Sequence, residues 1–413
     1  MKYLFHFFLL VAVFFGCLRS GAAQVEPGKS VTPPPAATPA PALPSGQDSQ
    51  LVYESFSQSQ TRDQRVSLTP EVSKLANQAE AHMKNKNFRE CVPAWTEVLK
   101  KNSSLALAYN NRGFCQNQLG ATDAAIADFS AAIKLSPRYV SALSNRGRTH
   151  SARNDFNSAL EDFNKALSIA PDDALVLNNR AQLYISRNEI QLALADQEKT
   201  LKLVPDNPLF LNNRAVIYLK QGRFAEAHQD ASKATGKSPQ MAMGYVNMAT
   251  ASNGLGNFDR AIMELTKAIE IDPKIAMAYT SRGTVYLRLL RFEQAIEDFD
   301  QAILLNPGSV PSHYARGEGY RQAGELKPSL ESLNKCLELD PKFILGYNSR
   351  ALVYLSMMEY QKAVTDFTKA IELSPGNPIL YKNRSIAYES MGNDEAAKAD
   401  KKKAAELEGK PAN

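Results

Sequence analysis

Eight prolines, Pro137, Pro171, Pro205, Pro239, Pro273, Pro307, Pro341 and Pro375, recur every 34 residues without a slip. Proline cannot extend a helix past its first turn, and it pushes the residue before it out of the α region. Equally spaced stops therefore cut the chain into equal helical units. A period of this size marks a solenoid, in which a unit buries its apolar face only by stacking on its neighbours. Counting back from the prolines puts unit starts at Val72, Ala106, Val140, Ala174, Pro208, Ala242, Ala276, Val310, Ile344 and Pro378. Ten units fill residues 72–411.

The seventh unit shows what each contains. Tyr279, Gly283 and Tyr286 share one face of a first helix, and Phe292, Ala295, Ile296, Phe299, Ala302 and Ile303 follow helical spacing in a second. Each unit reads as helix–turn–helix. Small residues at the eighth position, such as Gly113, Gly147 and Ala181, let the paired helices approach. Aromatic residues at position 24, namely Trp95, Phe129, Phe163, Phe299 and Phe367, fill the remaining space.

This set of positions resembles the tetratricopeptide repeat: aromatic at 4 and 11, small at 8, Ala at 20 and 27, aromatic at 24 and Pro at 32. The resemblance implies an all-α, right-handed superhelix over residues 69–411, with position 6 lining a concave groove. Departures sit where a solenoid tolerates them. In the tenth unit Asp394 and Lys401 replace aromatic residues, as a polar terminal cap requires. The first unit is divergent: Ser103 replaces Pro, and Pro93 predicts a kink in its second helix. Thr69-Pro70-Glu71 reads as the helix start upstream. Gln197 and Thr200 stand where an aromatic residue and Ala are expected, which predicts a looser joint in the fourth unit.

The chemistry-bearing residues form no catalytic constellation. Five histidines include no pair at metal-ligand spacing, and there is no Gly-rich phosphate loop, CxxC or nucleophile motif. The expectation is a non-enzyme with no metal and no cofactor. A net charge of +5, from 48 basic and 43 acidic residues, gives no concentrated polyanion-binding face, so no nucleic-acid partner is expected. The RNA-reading pentatricopeptide hairpins have a period of 35, which would drift visibly over eight prolines. Lys398, Lys401, Lys402 and Lys403 are interspersed with Asp400, Glu406 and Glu408 and read as a solvated face. Cys91, Cys115 and Cys336 occupy positions that are usually small and read as small buried hydrophobes. Cys91 and Cys115, in neighbouring units, are the pair able to join in an oxidising compartment.

Three recurring columns carry more information. Position 7 is Arg in eight units (Arg112, Arg146, Arg180, Arg214, Arg282, Arg316, Arg350 and Arg384), and position 23 is acidic as often. The first unit has neither, carrying Gln78 and Ala94, so the two columns read as bidentate pairs across a helix seam. Met248 and Ser332 break the pattern. Position 6 is Asn in seven units: Asn77, Asn111, Asn145, Asn179, Asn213, Asn247 and Asn383. By the resemblance, such an amide ladder grips an extended peptide backbone; the alternative is that the amides bond neighbouring helix ends or water. The other groove positions form two apolar patches, Leu175, Ile185, Leu209, Val216 and Leu219, then Leu345, Leu352 and Leu355 with Ile379 and Ile386. The more polar Tyr314, Glu318 and Arg321 lie between. The expected partner is a protein or extended peptide, unless these apolar residues pack between units instead.

Residues 1–23 read as a signal peptide. Thirteen mostly apolar residues from Tyr3 to Phe15 follow Lys2, fewer than the roughly 17 to 25 that span a bilayer. Gly21-Ala22-Ala23 suits ordinary cleavage, Phe14-Phe15-Gly16-Cys17 resembles a lipoprotein box ending at a lipidated Cys17, and an uncleaved anchor is the third ending. Membrane contact is expected only through this N-terminus. Residues 24–68, rich in Pro, Ala, Ser and Gln, read as a disordered linker; the 13 residues from Val31 to Leu43 would span about 40 Å as polyproline II. The expected role is a protein-binding scaffold or assembly factor, exported to the bacterial periplasm or outer cell envelope, secreted or lipid-anchored. Its rival is a platform that docks an export or polysaccharide-synthesis machine through the convex face and linker.

Overall fold

The computed structural model describes residues 68–409. The signal segment, Cys17 and the linker up to residue 67 lie outside the described residues. Ten first helices alternate with ten second helices. The first helices are α1 Pro70–Lys84, α3 Ala106–Gln118, α5 Val140–Ala152, α7 Ala174–Ser186, α9 Pro208–Lys220, α11 Ala242–Gly254, α13 Ala276–Arg288, α15 Val310–Gln322, α17 Ile344–Ser356 and α19 Pro378–Ser390. The second helices are α2 Phe88–Lys101, α4 Thr122–Leu135, α6 Phe156–Ile169, α8 Ile190–Leu203, α10 Phe224–Lys237, α12 Phe258–Ile271, α14 Phe292–Leu305, α16 Leu326–Leu339, α18 Tyr360–Leu373 and α20 Asp394–Leu407. Among the described residues there is no strand, and no helix is long and apolar enough to cross a membrane. The architecture is an α-solenoid.

Local chemistry sets the helix ends. Thr69 caps α1, its hydroxyl accepting from Val72 N–H at 3.3 Å, with Pro70 at the start and Glu71 in the first turn, as its sequence predicts. Within every hairpin, position 15 adopts a left-handed conformation. Gly fills it at residues 120, 222, 256, 324 and 392, Asn at 154 and 188, and Lys86, Leu290 and Met358 elsewhere. The next N–H then reaches back to close the helix, as Ala121 does to the Gln116 carbonyl at 2.9 Å. At Lys86, Leu290 and Met358 this backbone conformation carries a steric cost of about 1–2 kcal/mol that Gly would avoid.

The core repeats with the units. Trp95, Phe129, Phe163, Phe299 and Phe367 are fully or almost fully buried between paired helices. The eighth position must be small because the ring lies against it. A Cβ on Gly283 would stand 2.7 Å from Phe299 Cε1, and one on Gly147 would stand 2.9 Å from Phe163 Cε1. From the second unit onward, successive first helices touch one another across unit boundaries, while successive second helices do not approach as closely. The layer of first helices is therefore the inner, concave side of the curve.

Helix α2 continues through Pro93, the proline standing inside it rather than ending it. The joints on either side of the fourth unit are the least closely packed between neighbouring units, as its sequence predicts. The one that follows is tied by Gln197, which is fully buried in the aromatic slot and donates Nε2 to the Phe210 carbonyl at 2.9 Å, while Thr200 bonds back to the Asp196 carbonyl. Its Oε1 has no partner, so the tie leaves a buried acceptor unsatisfied. At the other end Lys401 pairs with Glu389, and α20 offers a charged face to water.

Candidate functional site: the seams and the concave surface

The Arg and acid columns meet inside each hairpin. Arg112–Asp128, Arg146–Asp162, Arg180–Asp196, Arg214–Asp230, Arg282–Asp298, Arg350–Asp366 and Arg384–Asp400 each make two N–H···O bonds of 2.6–3.0 Å. In six of these the guanidinium adds a third bond to the unit before, at Thr96, Ser130, Asn164, Thr266, Asn334 and Thr368. One side chain thus stitches a hairpin shut and ties it to its neighbour. Hydrogen bonding to the carboxylate holds these guanidiniums above their ordinary range against the opposing effect of burial.

The exceptions have their own solutions. Arg316 bonds Ser332 Oγ at 3.0 Å and reaches Asp300 of the preceding unit. Where Met248 replaces Arg, Glu264 is held by Ser252 Oγ at 2.7 Å, Arg260 at 2.9 Å and His228 Nε2 of the preceding unit at 3.0 Å. Lacking an Arg–acid pair of its own, the first unit is joined to the second by a Cys91–Cys115 disulfide, which replaces the reading of these residues as small hydrophobes. Cys336 is buried and free, its thiol pushed up to about 12 by burial, so it is no nucleophile.

A histidine plays a comparable substitute role at position 4. Tyr347 and Tyr381 donate their hydroxyls to the carbonyls of Pro341 and Pro375, at 3.2 and 3.1 Å. His313 does the same through Nε2, at 2.9 Å from the Pro307 oxygen; a carbonyl only accepts, so Nε2 carries the proton. Burial lowers the imidazole below its ordinary value of 6.5. Between these two values the unfolded chain binds a proton that the folded chain does not, so stability rises with pH through this window and is lost as pH falls below about 6.5. His313→Tyr keeps the bond to Pro307 and removes the titration. The variant is expected to lose less thermal stability than the parent between pH 7.5 and 5.5, measured by circular dichroism melts.

The amide column is a zip between first helices. Asn145 Nδ2 donates to Asn110 Oδ1 at 3.0 Å, Asn179 to Ser144 Oγ at 3.1 Å, and Asn213, Asn247 and Asn383 to Asn178, Asn212 and Asn348, each at 2.8 Å. Each link crosses a unit boundary. Asn111 instead accepts from Asn110, and Asn77 is exposed in the first unit, with no hydrogen bond to a described residue. The position 5 partners were missed in the sequence, although the dipeptides Asn110-Asn111, Asn178-Asn179 and Asn212-Asn213 announce them. Because each link uses only one donor and one acceptor, the position 6 carbonyls of Asn145, Asn179, Asn213 and Asn247 bond no described residue, nor do the position 5 amide nitrogens of Asn178 and Asn212.

The apolar groove residues are only partly available. Leu175 and Leu209 are half-buried against the Leu201, Phe210 and Leu211 cluster, Leu352 and Leu355 against Ala351 and Phe367, and Leu219 against Tyr218 and Ala227. Ile185 is buried with Ile217. Val216 and Leu345 are half-buried, while Met277, Ile379 and Ile386 are exposed. Between the patches, Arg321 pairs with Glu318 at 2.9 Å. Burial acts to raise the Glu318 carboxyl, but Arg321, joined by hydrogen bonds from Ser349 and Gln322, outweighs it and holds it below the usual carboxylate range. Tyr314 beside them is pushed up to about 12, chiefly by burial. Among the described residues no group of three His, Cys, Asp or Glu side chains is placed to hold a metal.

Ten stacked helical hairpins with a polar-lined inner face define a repeat scaffold of the kind that holds other proteins, a typically non-catalytic class. The chain belongs to the tetratricopeptide repeat family, whose models match residues 106–139, 140–173, 178–242, 244–275, 276–309, 310–343 and 344–377. Among solved structures it is similar to a tetratricopeptide repeat protein from Parabacteroides merdae, with 19% identity and a TM-score of 0.52, covering 61% of this chain and 99% of that one. The MamA protein aligns with 26% identity and a TM-score of 0.38 over 41% of this chain and 93% of its own. YrrB, described as a TPR protein with an unusual peptide-binding site, aligns with 22% identity and a TM-score of 0.37 over 43% and 92%. No curated protein matches.

Proposed function

We propose that this repeat scaffold holds an extended peptide or partner segment along its concave surface, outside the cytoplasm. The observation that carries the reading is the half-used amide zip. Carbonyl and N–H groups left over at successive unit boundaries match the donors and acceptors of an extended backbone. Half-buried Val216, Leu219 and Leu345 add apolar contact, worth about 25 cal/mol for each Å² removed from water. The Cys91–Cys115 disulfide supports an oxidising compartment, and with the apolar N-terminal segment it favours export to a bacterial cell envelope, secreted or tethered at Cys17. Site-specific photo-crosslinking in cells tests the reading. A crosslinker at Val216 is expected to capture a partner, and one at Met263, exposed on α12, is not. Capture from Met263 alone would favour a platform that docks through its outer face.

A further inference from the structure

Cations on the inner wall are of two kinds. Arg321 of the eighth unit has its counter-ion, Glu318, at 2.9 Å. Arg148, Lys220 and Arg288, in the third, fifth and seventh units, make no ion pair or hydrogen bond among the described residues. Arg148 and Lys220 are half-buried; Arg288 is exposed, its guanidinium over the Phe258 ring at 5.8 Å from the centroid. Arg148 stands at position 9 and the other two at position 13. Position 13 lies two turns beyond the amide column at position 6 and is turned from it by only about 20°, so all three side chains rise from the inner face. No carboxylate occupies positions 2, 5, 6, 9, 12 or 13 of units two to seven. Drawing a cation partly out of water without a counter-charge is unfavourable, and a carboxylate carried in by a ligand offsets that cost.

Spacing narrows the ligand further. The three cations sit on alternate units, and packed helices lie about 8–10 Å apart, so neighbouring cations stand about 16–20 Å apart. An extended strand rises about 3.3 Å per residue and turns successive side chains to opposite faces. Carboxylates six residues apart therefore share one face at a separation of about 20 Å. A nucleic-acid strand, with a phosphate about every 3.4 Å, would leave most of its charge unmatched on so sparse a set. Half-buried Val216 and Leu219, beside Lys220, suit apolar residues between the acids. Because Arg148 stands one helical turn before the other two positions, the strand crosses the first helices obliquely.

We propose that the inner surface of units three to seven seats an extended acidic segment of a partner protein, with carboxylates near every sixth residue meeting Arg148, Lys220 and Arg288. The proposal rests on the groove reading above and adds the charge and register of the ligand. The probe is a fluorescein-labelled peptide of Ser, Thr and Val with three Glu six residues apart, amidated so that no terminal carboxylate contributes, and titrated into the full chain. It is expected to bind at least 10-fold more tightly than its Gln counterpart, and at least 3-fold more tightly than a peptide of equal composition with the three Glu adjacent. Arg148→Gln, Lys220→Gln and Arg288→Gln together should abolish the preference for Glu and leave the circular dichroism melt close to the parent's, since none of the three pairs with a carboxylate of the chain. A charge swap, Lys220→Glu with Arg288→Glu, supplies a second arm and is expected to turn the preference toward a Lys counterpart. Equal affinity for the Glu and Gln peptides, a preference that survives both sets of changes, or tighter binding of oligouridine than of the Glu peptide overturns the proposal. Capture from Val216 alongside any of these results leaves the groove reading standing and removes this inference alone.

Discussion

Arg146→Ala is expected to destabilise the array by about 3–5 kcal/mol, because it strands Asp162, whose side chain is only 4% exposed, without its counter-charge. The guanidinium supplies both bonds to that carboxylate and a third to Ser130, so the loss opens the hairpin and loosens its joint with the second unit. Replacing both partners by apolar residues of similar size, Arg146→Met with Asp162→Leu, is expected to cost less than the single change, since no charge is then left buried. Native-state hydrogen exchange resolves the effect by position. Protection should fall in units two to four and persist at the ends, because neighbouring units are coupled only in sequence. A cost equal in the single and double variants would show that the pair contributes nothing beyond its packing.

Phe163→Ala is expected to cost about 3–5 kcal/mol, the usual range for truncating a fully buried ring. The partner position supplies a sharper check. Gly147 is excluded from larger residues by the ring itself, its Cβ position lying 2.9 Å from Phe163 Cε1. Where the fifth unit has Ala231 in place of the ring, it has Ala215 facing it. Adding Gly147→Ala to Phe163→Ala should therefore recover part of the loss, whereas Gly147→Ala alone should destabilise by forcing the ring aside. Denaturant unfolding of the three variants, with exchange in units two to four, measures both directions.

The hairpins, their number and their stacking order were legible because Pro, Gly and aromatic residues act locally, and a 34-residue register makes each local act repeat. The Arg–acid seam was legible for the same reason, since both partners lie in one unit. Features that depend on two units facing each other were harder to read. Asn178 and Asn212 reveal their role only when the unit that follows is placed against them, and the same holds for Gln197 and the carbonyl of Phe210. The left-handed turn column escaped notice because Lys86, Leu290 and Met358 interrupt its Gly and Asn. Groove patches were overestimated because helical spacing does not separate a residue facing an open surface from one packed against the next unit, as Ile185 and Leu209 show.

The amide zip lapses at three successive boundaries between the sixth and ninth units, where Val246 and Ser281, Thr280 and Ala315, and Tyr314 and Ser349 stand in place of amide pairs. Considered as a spring, the inner wall is cross-braced by amides from Asn110 to Asn247 and again from Asn348 to Asn383, with a stretch between that lacks them. Bending compliance should concentrate in this stretch, so that the solenoid flexes as two arms rather than as a uniform coil. A long cargo could then be clasped by closing the arms about it, with each arm keeping its own pitch.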